Sequence, residues 1–479
     1  MAPVRAKCAK GIALVFVLWL MIILSGLALQ LSFSSHLRTN ATADLSQGTR
    51  ALFLARAGVE RAIADLLSSR DEVQSMFDLR DGEFHIYRNA ELGEGTYTLY
   101  AGTDASGEPV CGIMDEAAKL NVNSATADEL TKLPGMTAPL AAQIVAARGE
   151  EGFPHLNDLL ALSDCDTTML YGEDWNHNGI LDPNENDADE SWPPDNADGV
   201  LERGFAAHLT IHSAARNVSP EGEKRTNINS ADASALTKSV PGLTQEEAES
   251  IVQHRKDNQF ASIAHLLDVD LVEKVVKQQK QSDDQSSNRS SQNSGNGGSS
   301  GGRGNSSGGQ SSGGRSQSSG GGNRTRNVQQ SEGGDQSQQQ QTEYKSTGKK
   351  AFDTERLRTI APYVTTKDDE VLKGLVNINT AEYEVLACLP GLDETLAQQI
   401  VKCREESDDA FQSVADLLSV SGLSTSILKQ VCPYITARSD VFRARSFGVL
   451  GTADTYRCVE AVIDRTQDAA TIRDWRELE

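Results

Sequence analysis

Residues 12–31 read IALVFVLWLMIILSGLALQL, twenty consecutive positions without a charge. As a helix, such a run crosses the roughly 30 Å hydrocarbon core of a bilayer. Arg5, Lys7 and Lys10 precede it, so the positive-inside rule puts the start of the chain in the cytoplasm and the bulk on the far side. A cleaved signal peptide is the rival reading, and it expects a shorter apolar core followed by an A-x-A-like site. Here the helical pattern continues through Leu45, Leu52, Ala55, Val59, Ile63 and Leu66, spaced as one face of an amphipathic helix. The expectation is one permanent helix that leaves the membrane and runs on.

A second signal is internal. NVNSATADELTKLPGM from Asn121, NINSADASALTKSVPGL from Asn227 and NINTAEYEVLACLPGL from Asn377 open three segments that align almost without gaps. Ser124, Ser230 and Thr380 stand where a helix begins and are expected to cap it. Leu130, Leu236 and Leu386 give that helix its core face. Pro134-Gly135, Pro241-Gly242 and Pro390-Gly391 then turn the chain. Ile144, Ile251 and Ile400 follow on a second helix, with Arg148, Arg255 and Arg404 four residues further on. A Phe (Phe153, Phe260, Phe411) and a Leu-Leu pair complete each unit on a third short helix. Three copies in register mark a repeat architecture. The repeat resembles the helix-hairpin-helix family, which often binds DNA through backbone amides of a Pro-Gly-x-Gly hairpin. Here Thr137, Thr244 and Asp393 replace the second glycine, and the flanking charge is acidic. Both features weaken the attraction to phosphate. Each Arg is expected to serve the fold.

DWNHNGILDPNE, residues 174–185, fits a twelve-position calcium loop. Asp174, Asn176 and Asn178 would each offer a side-chain oxygen, and Ile180 its carbonyl. Asp182 would bind directly or through water, and Glu185 would close the shell. The bland alternative is a solvated Asp/Asn/Gly turn. Asp187, Asp189, Asp195 and Asp198 are candidates for a second calcium site without a clean spacing.

The formal charge of −23 argues against DNA or anionic headgroups as partners over most of the surface. The six cysteines past Cys8 form no CxxC pair, which argues against zinc or redox chemistry while permitting disulfides. No His pair or nucleophile elbow appears, so an enzyme is not expected. Residues 278–349 are Ser, Gly, Gln and Asn with almost no large apolar side chain, a composition that predicts disorder. Alternating residues at 83–88, 96–101, 446–450 and 456–463 predict strands, which either join from both ends in one sheet of an α+β domain or form two separate hairpins with exposed edges.

A basic leader ending in Gly11, before a long apolar helix that turns amphipathic, resembles type IV pilin-like precursors. The resemblance implies cleavage between Gly11 and Ile12 by prepilin peptidase, then methylation of the new amino terminus. Phe16 stands where that family usually has a glutamate. Together with GIMDEAAKLNVN from Gly112, this is similar to the K-type minor pseudopilins of type II secretion, a family associated with bound calcium and the filament tip. The implied parts are a leader (1–11), a transmembrane and amphipathic helix (12–70) and a pilin-like α/β domain (71–119 and 441–479). Within that domain lies an all-α insertion, comprising two repeats with the calcium loop (120–277), the linker (278–349) and the third repeat (350–440). The resemblance further implies a single-pass inner-membrane protein with its globular part in the periplasm. Its partners would be other minor pseudopilins and the inner-membrane secretion platform. The competing expectation is a membrane-anchored DNA receptor of the competence type.

Overall fold

The computed structural model describes residues 10–81, 86–103, 109–176, 181–188, 190–192, 195–276, 342–407, 409–451 and 456–478. Asn178, Ile180, Asp189 and linker residues 278–341 lie outside this set. The chain divides into one unit of Met1–Val272 with Ser346–Glu479, and a second of Glu273–Lys345. Only the ends of the second unit are described, as parts of the paired strands Asp270–Val276 and Thr342–Lys350. The latter strand corrects the linker boundary. TEYKSTGKK has no apolar alternation of its own and acquires strand geometry from its partner.

Helix α1, Lys10–Ser68, is continuous over 59 residues, about 88 Å at 1.5 Å per residue. From Leu14 through Leu45 its side chains other than Ser34 are exposed, and from Ala51 one face becomes buried. The buried half lies on a seven-stranded antiparallel sheet. Its strands are β1 (Ala90–Leu92), β2 (Gly95–Thr103), β3 (Pro109–Cys111), β4 (Met114–Asp115), β5 (Val441–Leu450), β6 (Tyr456–Asp464) and β7 (Thr471–Leu478). The order is β1-β2-β5-β6-β7, with β3 beside β2 and β4 beside β5. Strands from opposite ends of the sequence therefore share one sheet, Tyr97 pairing with Gly448. The expected strand at 83–88 is not a strand over its described residues. Residues 86–89 are bends, because Tyr87 is tucked inward with its hydroxyl donating to Asp65 and Asn89 takes φ +50°.

Alternation gives the sheet two different faces. Leu99, Phe442, Ala444, Val459, Ala461 and Ile463 pack with Ala55, Val59, Ala62 and Leu66 of α1. The opposite face carries the side chains of Arg443, Arg445 and Glu460. At the end of α1 the Leu66 carbonyl, which no intrahelical amide can reach, accepts from Arg465, and in the turn that follows the carbonyls of Arg70 and Asp71 accept from Arg216 and Arg438. Cations there also suit the helix dipole.

The repeats share a second core. Each has two helices around its Pro-Gly turn: α2 (Ala127–Thr131) and α3 (Ala138–Ala147), α4 (Ala233–Ser239) and α5 (Gln245–Asp257), α6 (Tyr383–Cys388) and α7 (Glu394–Glu405). Gly135, Gly242 and Gly391 have φ of +76°, +71° and +82°, a region glycine enters without strain. The expected third helices are short 3-10 turns at Leu156–Ala161, Ile263–Asp268 and Val414–Ser419. Each repeat opens and closes on a two-residue parallel pair, Leu120–Asn121 with Leu209–Thr210, Thr226–Asn227 with Val364–Thr365, and Val376–Asn377 with Ile435–Thr436. Repeat 3 touches both others, through Lys132 to the carbonyls of Ala387 and Leu389, and through the Arg358–Asp416 and Lys429–Asp268 ion pairs.

Candidate functional sites, the hairpins and the acidic loop

The Asn-x-Asn that opens each repeat organises it. The first Asn accepts from the amide two residues on, at 2.8–3.0 Å. The second Asn exchanges two hydrogen bonds with the backbone of the repeat's Phe: Asn123 with Phe153, Asn229 with Phe260, Asn379 with Phe411. The invariant Arg donates to carbonyls of the same opening turn, Arg148 to Val122 and Ala125, Arg255 to Ile228 and Ala231, Arg404 to Ile378. These arginines tie the second helix to the opening turn of their repeat, the structural role expected of them. The helix starts are displaced from expectation. Thr126, Asp232 and Glu382 are the N-caps, two residues past Ser124, Ser230 and Thr380, because the Asx turn occupies the earlier positions. Thr380 instead donates to buried Asp115 at 2.6 Å, and Ser124 to the carbonyls of Asn121 and Gly374.

The hairpins place Thr137, Thr244 and Asp393 at the N-caps of α3, α5 and α7, where each accepts a first-turn amide. In repeat 2 the Glu247 carboxylate also takes the Thr244 amide at 2.8 Å and pairs with Arg356, which reaches the carbonyl of Gly242. An external phosphate would need these helix N-terminal amides. In repeats 2 and 3 a carboxylate of the chain itself already accepts from them.

The acidic loop interrupts the closing segment of repeat 1. Gly172 bridges Arg203, and the Glu173 amide donates to the carbonyl of Glu202 at 2.9 Å, tying residues 173–202 off at their base. Four of the six predicted calcium ligands are described. Glu185, 1% exposed, accepts from the amides of Trp175 (2.9 Å) and Asp182 (3.0 Å), while Asn176 donates to Asp182 at 2.7 Å. Burial, with Asp174 and Asp182 nearby, pushes the Glu185 carboxyl above its ordinary range. A buried carboxylate with others nearby and an all-oxygen donor set suit a hard divalent cation. Among the described residues, however, no three His, Cys, Asp or Glu side chains stand at metal-binding geometry. Of the second set, Asp187, Asp195 and Asp198 are described, each accepting from nearby groups of the loop. Asp187 accepts from Ser191, Asp195 from the amides of Asp187, Ala188 and Ala197, and Asp198 from Val200.

A charged site that sequence reasoning missed lies between the sheet and repeats 1 and 3. A cavity of about 210 Å³ is lined by Arg443, Arg445, Glu460, Lys119, Thr210 and Thr380, among others. Arg443 bridges Glu116 (2.6 Å) and Glu460, and Thr210 donates to Glu116. Burial alone would raise Glu116, but Arg443 and Lys119 pull it down to about 2. Burial pushes Lys119 down to about 8. The described cysteines, Cys111, Cys165, Cys388, Cys403, Cys432 and Cys458, are free thiols, all buried except Cys403.

All three repeats match the sequence profile of the helix-hairpin-helix motif, at residues 115–166, 222–281 and 371–436. Among curated proteins the chain is similar to endonuclease/exonuclease/phosphatase family domain-containing protein 1. The Rattus norvegicus protein is 33% identical over 154 residues, covering 32% of this chain and 25% of the relative. That of Bos taurus is 32% identical over 151 residues, 31% and 25% of the two chains. The chain thus spans about a quarter of the length of the curated relatives it matches. Among solved structures, the crystal structure of the GspK-GspI-GspJ complex from the enterotoxigenic Escherichia coli type 2 secretion system overlaps 92% of this chain and 99% of its own. The identity is 11% and the TM-score 0.33, too loose a superposition to support a structural argument.

Proposed function

We propose that this chain is a minor pseudopilin, a non-enzymatic subunit at the tip of a type II secretion pseudopilus. In this reading α1 anchors it in the inner membrane and the globular part stands in the periplasm. The observation that carries the reading is α1 itself. One unbroken helix is apolar and exposed over its first half and is built into the sheet core over its second. Exposed Leu, Ile and Phe side chains over such a length need lipid or other helices around them. Phe33, Leu37 and Leu45 stay exposed between the apolar run and the sheet, where neighbouring stalks of minor pseudopilins would pack. The pilin-like reading of the sheet, with the repeats as an insertion between β4 and β5, gives those stalks a common head.

The test is maturation and assembly. Gly11→Val should leave the precursor uncleaved by prepilin peptidase, seen by mass, and should abolish co-purification with pilin-like subunits from the same cells. Unchanged processing and unchanged partners would end this reading. The three helix-hairpin-helix matches favour a second one, the anchored DNA receptor. Against it stand the carboxylates at the hairpin N-termini. The full chain in detergent should show no salt-sensitive retention of duplex DNA on a filter; micromolar or tighter binding that weakens with salt would put the receptor first.

Calcium is part of the first reading. Asp174, Asn176, Asp182 and Glu185 would hold it, with Asn178 and Ile180 completing the set. It would neutralise carboxylates that otherwise repel and so staple the loop. At a hundredfold excess over Kd, calcium should add about 2.7 kcal/mol, or roughly 5 °C in Tm. The gain should shrink on acidification, because the raised Glu185 carboxyl must lose its proton to bind. A melt with and without chelator reads this directly, and identical midpoints would remove calcium from the proposal.

A further inference from the structure

Trp175 and Trp192 lie on the acidic loop with ring centroids 6.0 Å apart and planes at 86°. They remain 47% and 56% exposed. Large aromatic rings left this open on a loop tied off at its base contribute little to any core. The two described cores include neither. Two perpendicular indoles form a corner whose electron-rich faces attract a cation, Trp being the strongest such partner.

The charge around the pair selects the occupant. Residues 173–202 carry ten Asp or Glu and no Lys or Arg. One or two bound calcium ions would leave that segment strongly negative. Asp187 accepts from Ser191, next to Trp192, while Glu185, which accepts from the Trp175 amide, is buried, so the attraction at the rings comes from the segment's overall negative charge. An acidic surface alone attracts any cation. Exposed indoles add preference for a cation that is itself flat or apolar at its edges, which the guanidinium satisfies better than a hydrated metal ion.

We propose that the Trp175–Trp192 corner is a docking surface for an arginine-bearing segment of a partner protein. The arginine stacks in the corner and the surrounding carboxylates steer it there. This does not rest on the pseudopilin reading, since it follows from the loop alone.

The test uses the full chain in neutral detergent and a hexa-arginine peptide, titrated by calorimetry with calcium and again with chelator. Saturable one-to-one binding is expected, at least tenfold weaker for Trp175→Ala/Trp192→Ala, whose formal charge is unchanged. Trp175→Phe/Trp192→Phe should recover part of the loss, separating ring chemistry from damage to the loop. A hexa-lysine peptide should bind more weakly than hexa-arginine. Equal affinity of the alanine variant and the unaltered chain, or equal binding of the two peptides, would reduce the site to diffuse charge and overturn the proposal. So would no binding in either buffer. In that case the rings only brace the loop.

Discussion

Arg443→Met should cost about 3–5 kcal/mol at neutral pH, the usual consequence of removing one partner from a buried ion pair. The guanidinium bridges Glu116, fully buried, and Glu460, which Arg445 also grips with two hydrogen bonds at 2.7 and 3.0 Å. Methionine fills much of the volume but leaves Glu116 without its guanidinium partner, with Lys119 and Thr210 still nearby. The pH dependence gives the signature. In the unaltered chain Glu116 is depressed to about 2, so its stabilisation is complete above the ordinary carboxylate pKa, near 4.5, and fades as the pH falls toward 2. Without Arg443, burial dominates and the carboxyl rises, so the variant should recover relative stability on acidification. Urea melts at pH 7.5 and 4.5 should therefore show the gap between the two proteins narrowing. Adding Glu116→Gln should recover part of the neutral-pH loss, since the orphaned charge goes with it. A loss under 1 kcal/mol at pH 7.5 would mean that the network does not hold the sheet to the repeats.

That network shows what a single sequence conceals. Arg443 and Glu116 are 327 positions apart, and nothing local marks either as half of a pair. The stalk was legible because a twenty-residue uncharged run has few physical fates. The repeats were legible because Pro-Gly turns, buried leucines and the invariant Arg recur in register. The acidic loop was legible as composition, and its tie at Gly172 and Arg203 was not. Local chemistry misled where two motifs competed for the same residues. Ser124 is a good capping residue, but the Asx turn made by Asn121 delays the helix to Thr126. The Asn-x-Asn signal was present in all three copies, and its pairing with the repeat's Phe needed the fold. The closing strands went unread, although Pro362-Tyr363-Val364-Thr365 parallels Pro433-Tyr434-Ile435-Thr436. Two residues of parallel pairing are too few to predict without knowing what lies opposite.

Gly448→Val should detach α1 from the sheet while leaving the repeats folded. A Cβ at Gly448 would stand 2.1 Å from the Ala51 carbonyl oxygen and 2.4 Å from the Ala55 amide nitrogen. These are backbone atoms of α1 that cannot swing aside. The φ of Gly448 is not in the left-handed region, so the demand for glycine comes from the neighbour alone. Valine suits a strand by local preference, which makes the substitution a clean contest between propensity and packing. Packing should win by about 3 kcal/mol, the upper part of the usual overpacking range. The neighbouring contact tests that the approach is direct. At Gly58 a Cβ would meet Ser446 Oγ at 2.1 Å, so Gly58→Ala should destabilise and Ser446→Gly should rescue it, in a double-mutant cycle with a coupling above 1 kcal/mol. Because the sheet and the repeats have separate apolar cores, hydrogen exchange in Gly448→Val should accelerate in α1 beyond Ala51 and in β5 and β6. Amides of α4 to α7 should stay protected. Uniform acceleration through both regions would show that the helix-to-sheet contact supports the whole unit, and the head could then not survive release of its stalk.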